Sequence, residues 1–480
     1  MSTASQQGHR AIVGLLVLLA ALPYAGGGFV WDDGPLIADR LALLDGPGIA
    51  NLWTSPVTGD GPGSSYYRPV SMTVLAAVGR LGPIAVHCAA IAVHVLNAIL
   101  LAAVARRLQW PALAALIYGV HPLLSEALGW ASSLPDLLAI SAGLGAVLAA
   151  RRGWFAGAIL VVAAGLAKES GLLIPLFLGA AGLAGSRWLR SWAVGCSMVV
   201  IARLAAGARH AADWSENVML APDALGWSIA SLIWPFPLNA VQSLWVTPEW
   251  VIPVAGALVC AGLLAARGSR EAAGGLGLVL AAPMLALPVM LDGYLVGERY
   301  MTTALVGVGV FAAARIAPSR GALAVAVPLA VGSIAVHWDR ASDWESDTAL
   351  FGASVEASPA SSYAWHMYGL ALAQDGQLRA AANAFGKGLE CRNPHPLDRM
   401  LRLRALVQAG EPQEALELAS RGPKSDLTAE YIAWWARAAV DAGDNEQAVR
   451  LMELLVLEQG YDGPAWFAEW AQNTGLSGRL

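Results

Sequence analysis

Long apolar runs separated by short polar hinges dominate the first 338 residues, and their lengths predict a bundle of membrane-crossing helices. A span needs about 20 mostly apolar residues, and the pattern offers about eleven candidates: 11–28, 83–105, 110–128, 135–150, 154–167, 171–185, 192–206, 249–266, 274–291, 299–316 and 320–337. A shorter apolar piece at 223–235, ending in WPFPLN, reads as a re-entrant or half-span. Beyond Trp338 the runs give way to the mixed pattern of soluble helices. The expected fold is therefore all-α in two domains: a polytopic transmembrane bundle over 1–338, with its first outside loop at 29–82, and a soluble domain over 339–480.

The soluble stretch is internally repetitive. AQDGQLRAAANAF, VQAGEPQEALELA and VDAGDNEQAVRLM align on Gly376, Gly410 and Gly443, a spacing of 34 and then 33 residues. That is the tetratricopeptide period. In the first repeat Trp365, Gly369, Ala381 and Phe385 occupy the packing positions, where small residues let two helices approach and large ones fill the crossing. About three repeats are expected, closed by a capping helix near 464–473.

Composition agrees with a membrane protein and narrows the functional classes. The chain is 56% hydrophobic and 14% charged, with a mean hydropathy of +0.54. The four cysteines (Cys88, Cys196, Cys260, Cys391) are scattered, without a CxxC pair or a histidine cluster at metal-ligand spacing, so neither a disulfide framework nor a zinc site is implied. The net charge of -5 is small and the basic residues form no stripe, which argues against nucleic-acid binding. The first apolar run begins like a signal peptide, but it lacks a convincing cleavage site and is read as a retained helix.

Arginine placement predicts the orientation. With the N-terminus inside, Arg106, Arg107, Arg151, Arg152, Arg187, Arg190, Arg267, Arg270, Arg315 and Arg320 all fall on the cytoplasmic side. The opposite loops then hold Asp32, Asp33, Glu126, Asp136, Glu169, Asp213, Glu216, Asp292 and Glu298. With an odd number of spans before it, the repeat domain is also expected outside. The 223–235 piece must return to its own side for this register to hold.

The paired acids Asp32 and Asp33 close the first apolar run, and a long segment with amphipathic patches follows, carrying Tyr66, Tyr67 and Arg68. Six motifs, FVWDD, YYRPV, VHVLNA, HPLLSEALGWASSLPDLLA, GLAKESGLLIP and GERYM, stand in order ahead of the repeats. In this ordered set, over roughly residues 11 to 460, the chain resembles the transmembrane and TPR-containing O-mannosyltransferase family (TMTC) and its bacterial relatives. The resemblance implies a GT-C fold and an enzyme that takes a sugar, with mannose the family expectation, from a polyprenyl-phosphate carrier. It also implies a multi-pass protein of the bacterial inner membrane, with active site and repeats on the non-cytoplasmic side and an acceptor protein or peptide bound by the repeats. In the family the Asp-Asp pair is the catalytic motif. The family pattern usually has an arginine two residues before Asp136, where this chain has Leu134; Arg68 is the candidate substitute.

Chemistry assigns roles to these positions. Attack of a hydroxyl on an anomeric carbon needs a carboxylate to take the proton, and Asp33 is the expected base, with Asp32 an orienting or metal-linked partner. A lipid-phosphate leaving group needs fixed cations, for which Lys168, the only lysine before residue 387, is the first candidate and Arg299 the second. Both could instead simply snorkel at the interface. Glu126, Asp136, His121, Glu169, Glu298 and Tyr67 are expected to support them. The bland alternatives are a helix N-cap for Asp136 and a local polar network for His121 and Glu126. His94 and Asn97, three apart in one span, read as helix-packing groups. Metal dependence is left open, since no complete ligand set is visible around the paired acids. The rival readings are a cell-surface oligosaccharide ligase or polymerase and a non-catalytic scaffold anchoring the repeats.

Overall fold

The computed structural model describes residues 3–38, 48–58, 65–208, 220–243, 248–285, 295–422 and 428–459. Among them the chain is helical, apart from two antiparallel pairings of two-residue strands, Val57–Thr58 with Ser65–Tyr66 and Gln242–Ser243 with Leu295–Val296. It divides into two compact units, Met1–Leu350 and Phe351–Leu480. The division falls at Leu350 rather than at Trp338, because the residues after Trp338 pack on the first unit. Trp344 is buried there, and Asp347 accepts the Trp31 backbone N–H at 2.5 Å.

In the first unit, four helical stretches among the described residues are long and apolar enough to cross a membrane: Pro83–Val104, Ala131–Ala150, Trp188–Ala205 and Arg320–Trp344. A fifth arises if Pro111–Val120 and Pro122–Gly129, bent by 56°, count as one span. Other predicted segments form shorter apolar helices, including Ala11–Gly26, Trp154–Ala167, Glu169–Ala180 and Val251–Ala266. The piece at 223–235 is the helix Ala221–Ile233. Interruption accounts for much of the shortening. Polar motifs such as KES at 168–170 and ERYM at 298–301 sit in extended or 3₁₀ backbone beside an α-helix and shorten its run.

Helix contacts run chiefly between neighbours, Leu134–Ala150 with Trp154–Ala167 and Arg270–Ala281 with Thr302–Arg315, and across the bundle between Pro83–Val104 and Leu134–Ala150. Gly307 shows how close these approaches are: a Cβ there would stand 2.5 Å from the Gly275 carbonyl oxygen, so the crossing is backbone on backbone. His94 and Asn97 are buried at such contacts, as their spacing implies. His94 Nε2 hydrogen-bonds the Gly119 carbonyl at 3.0 Å, and Asn97 donates to Leu137 O at 2.9 Å and Tyr118 Oη at 3.2 Å. Each polar side chain thereby finds a partner on another helix, which burial requires.

The second unit is built from helical hairpins: Ser362–Gln374 with Leu378–Glu390, Asp398–Gln408 with Pro412–Ser420, and Ala429–Asp441 with Asn445–Gln459. Gly376, Gly410 and Gly443 turn the hairpins at φ of +75°, +77° and +82°, a region that strains any residue with a Cβ. Ala381 and Phe385 are buried, and Phe385 lies against the bare Cα of Gly369. The expected capping helix at 464–473 lies outside the described residues.

Candidate active site

The first apolar helix ends in a 3₁₀ turn, Leu22–Gly26, after which the chain runs extended to a sharp bend at Trp31. Trp31 has φ +59°, an uncommon conformation for a bulky residue, and its ring stacks on Trp130 at 5.1 Å. The bend delivers two adjacent carboxylates into different surroundings. Asp33 is fully buried, and both its oxygens are occupied. Oδ1 accepts from the Ser132 amide at 2.7 Å and the Ser132 hydroxyl at 2.5 Å, and Oδ2 from the amides of Val30 at 3.1 Å and Ala131 at 3.3 Å. Asp32 Oδ1 is buried with no hydrogen-bond partner.

Of the two carboxylates, the expected base Asp33 is thus the one with both oxygens occupied, and Asp32 the one with an oxygen left over. A carboxylate holding four donors is a fastener that pins the 30–33 bend to the 130–133 turn, whereas Asp32 keeps one oxygen, Oδ1, with no donor upon it. Burial pushes both carboxyls up to about 6; the Arg299 charge opposes it at Asp32, and the Ser132, Val30 and Ala131 donors oppose it at Asp33.

Arg299 stands beside the pair. Its backbone N–H donates to Glu126 Oε2 at 2.8 Å and its guanidinium to Glu126 Oε1, while its face lies 4.6 Å from the Trp130 ring, 4.9 Å from Tyr300 and 5.4 Å from Trp31. Tyr300, Glu126 and Asp136 all bear electrostatically on the guanidinium. Lys168 reaches both oxygens of Asp136, at 2.5 and 2.7 Å, and lies 5.5 Å from the same Tyr300 ring. Asp136 is in the first turn of its helix as an ion-pair partner, not as the N-cap, which is Ser133. Lys168 is likewise not merely snorkelling.

A second ion pair lies beside Lys168 in the chain. Glu169 accepts from Arg68 at 2.9 and 3.2 Å and from Arg203 at 2.6 Å. Burial raises the Glu169 carboxyl, and the two arginines more than reverse that, holding it down at about 2. Arg68 is thus committed to Glu169, and Leu134 is a fully buried core residue. Tyr67 is buried, and its hydroxyl donates to Trp53 O at 2.8 Å, tying the first loop together.

Glu298 and His121 serve the frame. Glu298 is buried and accepts from the Asn239 amide at 2.5 Å and the Ser125 hydroxyl at 3.2 Å; burial raises it to about 7, opposed by Arg340. His121 bonds Leu232 O through Nε2 at 3.2 Å and accepts the Leu123 amide at Nδ1 at 3.3 Å, so it fastens the bend after Val120 rather than reaching the acids. Asp213, Glu216 and Asp292 lie outside the described residues.

The fold thus gathers FVWDD, HPLLSEALGWASS and GERYM around Arg299, with Lys168 of AKES on the same Tyr300 ring. Sequence reasoning missed Trp31, Trp130, Tyr300, Ser132 and Arg203. Each but Arg203 belongs to or adjoins a singled-out motif, and aromatic residues flanking paired charges were the available signal. Neither Asp32 nor Asp33 belongs to a metal-type cluster of three ligands among the described residues. No family model matches the chain, and no curated protein or solved structure matches it either.

Proposed function

We propose that this protein is a GT-C-type membrane glycosyltransferase that moves a sugar from a polyprenyl-phosphate donor to a hydroxyl of an acceptor protein, with inversion. The observation that carries the reading is the contrast within the Asp-Asp pair: Asp33 saturated by four donors and Asp32 Oδ1 buried and unpaired beside Arg299. Asp32 is the base. It takes the hydroxyl proton as the acceptor oxygen bonds to the anomeric carbon, and the bond from that carbon to the phosphate oxygen breaks with its electron pair. Arg299, which has donors beyond those given to Glu126, and Lys168 face the charge that develops on the departing phosphate.

The bundle of apolar helices, counted as about eleven spans by sequence, supplies the membrane domain in this reading, and mannose is the expected sugar. The hairpins of the second unit are tetratricopeptide repeats whose concave face presents the acceptor peptide. Site and repeats share the non-cytoplasmic side of the bacterial inner membrane.

The test is transfer of label from polyprenyl-phosphate-mannose to envelope proteins by the purified protein in lipid, with Asp32→Asn beside wild type. Transfer by wild type that Asp32→Asn abolishes supports the reading. Equal transfer by both overturns the assignment of the base, and absence of transfer from mannose or any other lipid-linked sugar leaves the bundle as an anchor for the repeats.

A further inference from the structure

The repeat unit brings together three metal-ligating side chains that the sequence holds apart. His366 lies on the helix Ser362–Gln374, His395 on the connector to the next hairpin, and Asp398 in the first turn of Asp398–Gln408. His366 Nδ1 is 2.6 Å from Asp398 Oδ1, and the imidazole rings of His366 and His395 stack with centroids 3.7 Å apart and an interplanar angle of 27°. One ligand atom from each residue lies within 4.8 Å of the others.

From this geometry we propose that His366, His395 and Asp398 bind a single divalent transition ion of the zinc type. The proposal is independent of the transferase reading. Two imidazoles and a carboxylate are a donor set suited to zinc and its neighbours, with a fourth position left for water. Tetrahedral zinc holds such donors about 3.3 Å apart, so a ligating His366 Nδ1 gives up its 2.6 Å hydrogen bond to Asp398 Oδ1, and separations near the 4.8 Å limit close.

A hydrogen-bonded His–Asp pair alone explains Asp398 Oδ1. It does not explain Oδ2, which is buried without a hydrogen-bond partner in a side chain that is itself fully buried. An uncompensated carboxylate oxygen at such a place is costly, and a cation would compensate it. Gly388 lets the backbone pack close to this oxygen, since a Cβ there would stand 2.5 Å from Oδ2. A bound ion would fasten the connector 391–397 to the first hairpin and so fix how the first two repeats stack.

The experiment uses the purified full-length protein with any histidine tag removed. After equilibration with zinc and dialysis, wild type retains stoichiometric metal, and cobalt titration gives the ligand-field bands of a nitrogen–oxygen site. His395→Ala, a change at a half-buried position that spares the His366–Asp398 hydrogen bond, binds cobalt weaker by roughly tenfold or more. Zinc raises the melting temperature of wild type but not of this variant. Folded wild type that retains no zinc overturns the proposal. So does a His395→Ala protein that binds and is stabilised like wild type; the trio is then a hydrogen-bonded core group.

Discussion

Arg299 and Glu126, 173 residues apart in sequence, are joined twice, by the Arg299 main-chain N–H at 2.8 Å and by its guanidinium. Glu126 is fully buried, so the guanidinium is its compensating charge and its main-chain bond sets where the bend after Gly297 begins. Replacing Glu126 by Gln takes from Arg299 the one carboxylate bonded to it among the described residues. Breaking one side of such a pair costs about 3–5 kcal/mol, and a thermal or denaturant melt of Glu126→Gln in detergent should show a loss of that order. Arg299→Lys keeps the charge but not the flat face against Trp130 and Tyr300, and should weaken donor use more than it weakens the fold.

Asp32 and Asp33 should separate by phenotype. Asp33→Asn puts an amide group against amide and hydroxyl donors, and one unmet bond of this kind costs about 1–3 kcal/mol. Its defect should appear as a lowered melting temperature. Asp32→Asn should melt no lower than wild type while transfer falls by about 10²–10⁴-fold. A stable Asp33→Asn protein paired with an unfolded Asp32→Asn protein would reverse the assignment.

The pH dependence follows from the same pair. Burial raises the folded-state Asp32 carboxyl to about 6 from the ordinary 3.8, so the folded state binds the proton more tightly than the unfolded one. The stability contributed by protonated Asp32 is therefore fully present below about 3.8 and lost as pH rises through about 6. At pH 7.5 the Asp32→Asn protein should be more stable than wild type by about 1–3 kcal/mol, and the difference should close as the pH falls below about 4. Transfer needs the ionised form, so its rate should climb through pH ~6 to a plateau. Denaturant melts across this range, beside a pH–rate profile, measure both limbs.

Glu169 has the opposite sign. Arg68 and Arg203 hold it at about 2, below the ordinary 4.5, so its stabilising contribution is present above about 4.5 and fades as pH falls towards 2. Its side chain is 31% exposed, so water screens the interaction and Glu169→Gln should cost only about 1 kcal/mol at neutral pH. The loss should shrink below pH ~4 in the same melts.

In the repeat unit, Gly369→Ala should be the more damaging of two glycine changes. A Cβ at Gly369 would lie 2.5 Å from the Phe385 ring, so the buried crossing must open. Overpacking of this kind costs about 1–3 kcal/mol. Gly376→Ala meets no neighbouring atom within 4 Å and suffers only from its φ of +75°, which should cost about 1 kcal/mol. Comparative melting of the two variants, followed by tryptophan fluorescence, checks the order.

Periodicity alone determined that the chain is helical and that a greasy first unit precedes a repeat of 34 and 33 residues aligned on Gly376, Gly410 and Gly443, the glycines that the structure places at the hairpin turns. These are local matters: a run of apolar side chains, or a backbone angle that only a residue without Cβ adopts freely, is written into neighbouring residues. The motif residues around Asp32 were likewise legible as candidates, because isolated charges in an apolar chain need a reason. What each does was decided by tertiary structure. Asp32 and Asp33 are adjacent and chemically identical, and it is chiefly the Ala131 and Ser132 donors, a hundred residues away, that occupy Asp33 while Asp32 Oδ1 is left without a hydrogen-bond partner. Lys168 with Asp136, Arg299 with Glu126, and His366 with His395 and Asp398 are partnerships across helices. Their energy depends on distance and burial, which sequence spacing does not encode until the chain has closed on itself.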